Sequence, residues 1–252
     1  MLKRVFGVCL LVLLALGAAP ARTQESGQPA IYGYVAEWAV PREQWRDYAK
    51  VNADERDTMD KLVADGTLIG YGDFSMLLHQ EGRPTHGSWF LATSRAGLLK
   101  ALETIYKLPQ VTFPALAASK HWDFLMVSRN YGMKSGKSQG GYLGGGNFKV
   151  KPGSMKTFFD ISKKHVVPIM EKLKNEGVVT LYSIETEDFH SEAPGTVTFV
   201  YVTADAAGID KVGDAIDAEF ESHPELETTF RSAVDPQGHT DFLARVGNMV
   251  NK

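Results

Sequence analysis

The pattern His-x-Asp-Phe-Leu occurs twice, at His121-Trp122-Asp123-Phe124-Leu125 and at His239-Thr240-Asp241-Phe242-Leu243. Ordered matches flank it at a nearly constant offset, as an internal repeat requires. Met59-Asp60-Lys61-Leu62 meets Met170-Glu171-Lys172-Leu173, Gly66 meets Gly177, Tyr71 meets Tyr182, and His79 meets His190. With a shift of one residue, Trp38 and Val40 meet Phe148 and Val150. Whatever one copy folds into, the other has to fold into as well.

Within the first copy, Ile31 to Val40 alternates as a strand, with Tyr34 and Trp38 on one face and Val35 and Glu37 on the other. Both faces are largely apolar, so the strand is expected to be covered on both sides. Helical spacing of Trp45, Tyr48, Met59, Leu62 and Val63 up to Gly66 predicts a long helix. A hairpin follows over Thr67 to Thr93, then a shorter helix on Leu98, Leu102 and Ile105, then the strand His121 to Ser128. The second copy runs in the same order. Its helix, from Ser154 to Gly177, is expected to be capped by the serine. The glycines at 140, 141, 144, 145 and 146 are expected to mark a bulge more than a close approach.

Strand, helix, strand, strand, helix, strand is the split βαβ, ferredoxin-like unit. Helices cover one face of its sheet, so the other face needs a partner. The expected fold class is therefore α+β: tandem ferredoxin-like repeats whose sheets pack as a pseudo-dimeric α/β barrel. By element order and duplication the chain resembles the dimeric α/β-barrel superfamily, which includes the NIPSNAP, EthD-like and antibiotic-biosynthesis monooxygenase families. The resemblance implies the barrel and, in those families, cofactor-free oxygenase, cyclase or isomerase chemistry. The alternative is two separate ferredoxin-like domains. The expected boundaries are 31–130 and 142–252, joined by a Gly/Ser/Lys linker at 131–141.

The N-terminus places the protein. Lys3 and Arg4, an apolar run from Val5 to Leu16, and Ala19-Pro20-Ala21 form a secretory signal peptide at 1–21, cleaved after Ala21, with a flexible lead at 22–30. A secreted or periplasmic location follows, with no membrane attachment after cleavage. The only cysteine, Cys9, lies inside the signal, which excludes disulfides, thiolate metal sites and cysteine nucleophiles from the mature chain. Loss of Lys3 and Arg4 leaves 25 basic against 30 acidic residues, a formal charge of −5. No basic stripe is present, so nucleic acid is not an expected partner. The loop at Met133 to Ser138 has Tyr131 where a phosphate-binding loop needs glycine.

His165 is the first catalytic candidate. It shares a helical stripe with Phe158, Ser162 and Ile169, one turn before Pro168, and an inward imidazole suits general acid/base work. Asp54 stands at the matching position of the first copy. Candidate ligand-binding residues are Tyr34, Trp38, Tyr71, Phe148, Ser162 and Tyr182, aromatic or polar residues of strands and one helix. The same-face pairs His121/Asp123 and His239/Asp241 are secondary candidates, set against a purely structural reading as strand entries. His79, His86 and His190 are expected in exposed loops, and no metal site is expected. No cofactor is expected, with haem left open.

The leading expectation is a protein binding a small, partly apolar molecule between its halves. The first alternative is a cofactor-free monooxygenase, cyclase or isomerase with His165 as acid/base. The second is a protein-interaction module. The oligomeric state is left open.

Overall fold

The computed structural model describes residues 28–109, 113–191 and 194–252. The expected signal peptide and residues 22–27 of the expected lead lie outside the described residues. No helix among those described is long and apolar enough to cross a membrane.

The chain order is β1 (Ile31–Ala39), α1 (Trp45–Ala64), β2 (Gly70–Met76), β3 (His86–Ala92), α2 (Arg95–Ile105), α3 (Pro114–Ala117) and β4 (Lys120–Met133). It continues with β5 (Gly136–Gln139), β6 (Tyr142–Val150), α4 (Met155–Ile161), a π-helical turn (Ser162–Val166) and α5 (Val167–Asn175). Last come β7 (Val179–Phe189), β8 (Thr196–Thr203), α6 (Ala206–Ser222), α7 (Pro224–Ala233) and β9 (Val234–Asn251).

All strands belong to one antiparallel sheet, in the order β2-β3-β1-β4-β7-β8-β6-β9, and β2 pairs with β9 to close it into a barrel. Two seams therefore join the first four strands to the later ones: β4 against β7, and β2 against β9. β5 adds a ninth strand along β9, beyond the end of β6. Much of the expected linker at 131–141 is thus strand. β4 runs on to Met133 because its pairing with β7 extends to Met133–Leu181, and Lys137 reaches Asp60 on α1 at 2.5 Å.

The alternation read in β1 decides where its side chains go. Tyr34 and Ala36 pack outward beneath the helices with Met59, Leu62, Tyr71, Phe90 and Leu98. Ile31, with Phe74, Trp89, Leu91, Leu143, Leu181 and Val246, fills one end of the barrel interior. Outside the second set of strands, Phe148, Phe158, Ile184 and Phe230 form one core, and Met170, Leu173, Tyr182 and Val212 another.

Gly66 and Gly177 take φ of +80° and +82°, ending α1 and α5 where left-handed backbone is needed to turn into the next strand. Ser94 and Asp205 cap α2 and α6 by accepting from the N–H of Gly97 and Gly208. Ser154, expected as a cap, makes no side-chain cap hydrogen bond. Gly144 to Gly146 mark a close approach: a Cβ on Gly144 would lie 2.7 Å from the Tyr201 ring, and one on Gly146 would lie 2.8 Å from Asp241. The expected bulge falls just beyond, between Asn147 and Lys149.

Candidate functional site

The barrel interior changes character along its axis. One end is plugged by the apolar cluster around Trp89, Leu143 and Val246. Towards the other end it opens into a cavity of about 370 Å³, walled by strands from both sides of the two seams. Its wall is apolar at Val35, Phe74, Leu181 and Phe242, and polar at Glu37, Asn147, Ser183, Glu185 and Thr198. Arg83 and His190 stand at the end where the β2–β3 and β7–β8 connections lie.

Two carboxylates dominate this polar arc. Burial pushes Glu185 up to about 7, against the opposing effect of a 3.0 Å hydrogen bond donated by Ser183 Oγ. Burial also raises Glu37 to about 7, with the Arg83 charge pulling the other way. Both line the cavity and are half-buried, so the surrounding protein limits the water that can solvate a full charge. Beside them Thr198 Oγ1 donates to Asn147 Oδ1 at 2.8 Å. A carboxyl near neutrality in an apolar hollow can accept or return a proton at physiological pH.

Most of the expected site residues fall elsewhere: those on strands lie largely on outward faces, and Ser162 and His165 sit on the π-helical turn. Tyr34, Trp38, Tyr71 and His121 meet in a second cavity of about 270 Å³ between α1 and the first strands. There Tyr34 is shifted upward by burial and by facing Asp123 and Tyr106. The Tyr71 hydroxyl donates to Asp60 at 2.8 Å. Tyr182 borders the barrel cavity, but its hydroxyl donates to Glu171 on α5 at 2.7 Å. Phe148 is enclosed by Phe158, Phe230 and His239. Ser162 is buried and donates to the Phe158 carbonyl.

The His/Asp pairs do form, with 3.4 Å between His121 and Asp123 and 3.1 Å between His239 and Asp241. Each imidazole stacks on an aromatic ring, His121 on Trp38 and His239 on Phe148. Neither pair borders the barrel cavity. His86, expected in an exposed loop, is instead buried against Tyr48 and Trp45, and burial lowers it to about 4. His79 remains exposed.

His165 is buried and lines neither cavity. Its Nδ1 donates to Glu219 Oε1 at 2.6 Å. That placement allows the haem left open by the sequence to be tested at this one histidine. An axial histidine needs a flat slot before its free nitrogen. The space between α4 and its strands is packed with Phe148, Phe158 and Phe230, whose ring centroids lie 5.6 to 5.8 Å apart, and His165 itself faces Glu219 and His223. Around His165, these residues do not fit a porphyrin.

The glutamates escape a reading of the sequence because nothing local distinguishes them. The signal available was phase: Glu37 sits in the inward register of an otherwise apolar strand, and Ser183, Glu185 and Glu187 keep one face of β7.

Fold and site together define a class: a closed α+β barrel with one internal cavity, plugged at one end and acidic toward the other. Solved structures of this shape exist. A protein from Lactobacillus acidophilus provisionally named a monooxygenase superposes with a TM-score of 0.60 at 10% identity, covering 89% of this chain and 97% of that one. A second, from Fusobacterium nucleatum and also provisionally named a monooxygenase, gives 0.59 at 11%, covering 89% and 95%. A third, provisionally named a chlorite dismutase, gives 0.52 at 12%, covering 86% and 94%. No family model and no curated relative matches the chain. Likeness at this identity shows the fold, a closed antiparallel barrel of the ferredoxin-like α/β kind.

Proposed function

We propose that the protein is an enzyme that takes a proton from a small, partly apolar molecule held in the barrel cavity, as cofactor-free monooxygenases, cyclases and isomerases do. The observation that carries this is the pair of half-buried carboxyls, Glu185 and Glu37, raised toward neutrality in the polar arc of a barrel cavity whose remaining wall is largely apolar. Glu185 is the base. As its carboxylate takes up a proton it becomes the neutral form that its surroundings favour. Thr198 and Asn147 orient the substrate's polar atom, and Arg83 at the acidic end offsets negative charge on the deprotonated product. A substrate with an acidic C–H beside a carbonyl, or a phenol, meets these requirements. His165, the base expected from sequence, takes no part, because it does not reach the cavity.

Fold likeness to proteins provisionally named monooxygenases supports this reading over simple ligand storage. A cavity inside the barrel, walled by both sets of strands, speaks against the interaction-module alternative. The leader-like N-terminus supports a secreted or periplasmic site of action, with the small molecule as the partner.

The same reading takes the barrel as one unit used twice, at 31–130 and 142–252. Strand order supports it: β2-β3-β1-β4 is matched by β7-β8-β6-β9. So do the paired contacts Tyr71–Asp60 and Tyr182–Glu171, and His121 on Trp38 and His239 on Phe148. At the corresponding offsets Glu37 faces the place of Asn147, and Glu185 that of Phe74. Chemistry then belongs where the copies differ.

The test is turnover of enolisable and phenolic compounds, found first by mass spectrometry of any co-purified ligand. Glu185→Gln is expected to lower kcat by about a hundredfold or more while substrate still binds. Binding with no turnover by either protein would return the molecule to the class of carriers.

A further inference from the structure

We propose that His165, Glu219 and His223 form a binding site for a borderline divalent transition metal of the zinc class, separate from the barrel cavity. Their potential ligand atoms, one from each residue, all lie within 4.8 Å of one another. Glu219 and His223 stand one turn apart at the end of α6, so their side chains emerge on one face. His165 comes from across the helix pair, on the π-helical turn.

That turn is what delivers it. The N–H of Val167 bonds back to the Ser162 carbonyl, five residues earlier, and Pro168 just beyond has no N–H to offer. A π turn re-aims the side chains it carries, and such turns recur at functional sites. The result is an imidazole with 8% relative exposure, pointed at a carboxylate and a second imidazole.

The donor set chooses the metal. Two imidazoles and one carboxylate suit zinc, cobalt or nickel, whereas calcium and magnesium demand oxygen ligands. Glu219 Oε1 lies 2.6 Å from His165 Nδ1 and 3.3 Å from His223 Nδ1. A hydrogen bond holds His165 to the Glu219 carboxylate, and His223 Nδ1, which also lies 3.1 Å from the Glu219 backbone carbonyl, is kept beside it, so a cation would take the place of the proton between carboxylate and imidazole. Glu219 and His223 remain 26% and 40% exposed in their side chains, leaving a side open to solvent. Three protein ligands with one open position is the arrangement of an exchangeable site.

The experiment uses the untagged full chain, stripped with chelator, and Zn²⁺ or Co²⁺ alone as probe. One equivalent of Zn²⁺ should bind and raise the melting temperature, and Co²⁺ should give the visible absorption of a low-coordinate centre. His223→Ala, at an exposed helix end, should keep the fold and weaken Zn²⁺ binding about tenfold or more. Glu219→Gln, which keeps the shape of the pair, should do the same. No uptake by the native chain, or equal uptake by native and His223→Ala proteins, would overturn the site. In that case the cluster is a hydrogen-bonded brace between the π-helical turn and the end of α6.

Discussion

Glu185 carries a cost that should be measurable apart from catalysis. Its pKa rises from the ordinary 4.5 to about 7 on folding, so between those values the folded chain holds more protons than the unfolded one. Stability must therefore fall as pH rises through that window and level off above it. The full shift corresponds to about 3 kcal/mol at most, less whatever water in the cavity screens. Glu185→Gln should thus melt higher than the native protein at pH 8 and about equally at pH 4, in the same variant that loses turnover. Identical melting curves at both pH values would mean that the carboxyl ionises freely and is not raised toward neutrality by its surroundings. Little of this is legible in the sequence. A glutamate in a strand reads as an edge or solvent-facing residue until the strand is known to line a closed interior. His86 escapes for the related reason that Trp45 and Tyr48, distant in sequence, fold over it.

At the scale of elements, the helix stops test how far local chemistry sets the fold. A methyl at Gly66 or Gly177 would meet nothing nearer than 3.6 or 3.4 Å, so space is not at issue. The positive φ is, and alanine at either position should destabilise by about 1 kcal/mol. Gly213, exposed within α6 with no atom inside 4 Å of where a methyl would stand, lacks that constraint. Gly213→Ala should therefore stabilise by about 0.5 to 1 kcal/mol. Denaturant midpoints with unchanged slopes would show both effects; a loss at Gly213 or a gain at Gly177 would contradict them. These elements are readable because apolar period and glycine stops act within one stretch of chain. The π turn is not, since Pro168 alone predicts a disturbance without saying on which side it falls.

For the whole molecule, the sequence leaves one barrel and two separate domains as alternatives, and the seams decide. β4–β7 and β2–β9 make a single sheet of the chain, so the two sets of strands should melt together. The molecule provides its own probes: all four tryptophans, Trp38, Trp45, Trp89 and Trp122, precede residue 131. Their fluorescence reports the first set alone, whereas far-ultraviolet circular dichroism reports every element. The two denaturation curves should coincide. A fluorescence transition displaced from the dichroism curve would show the sets unfolding independently.

The β2–β9 seam also imposes a schedule. β2 is made long before β9, so during synthesis the early strands hold an unpaired edge and an open apolar face until β9 has been delivered. Such an edge invites pairing with a neighbour. For this protein the hazardous interval is the wait for β9, and a chaperone that shields β2 would guard the step on which assembly depends.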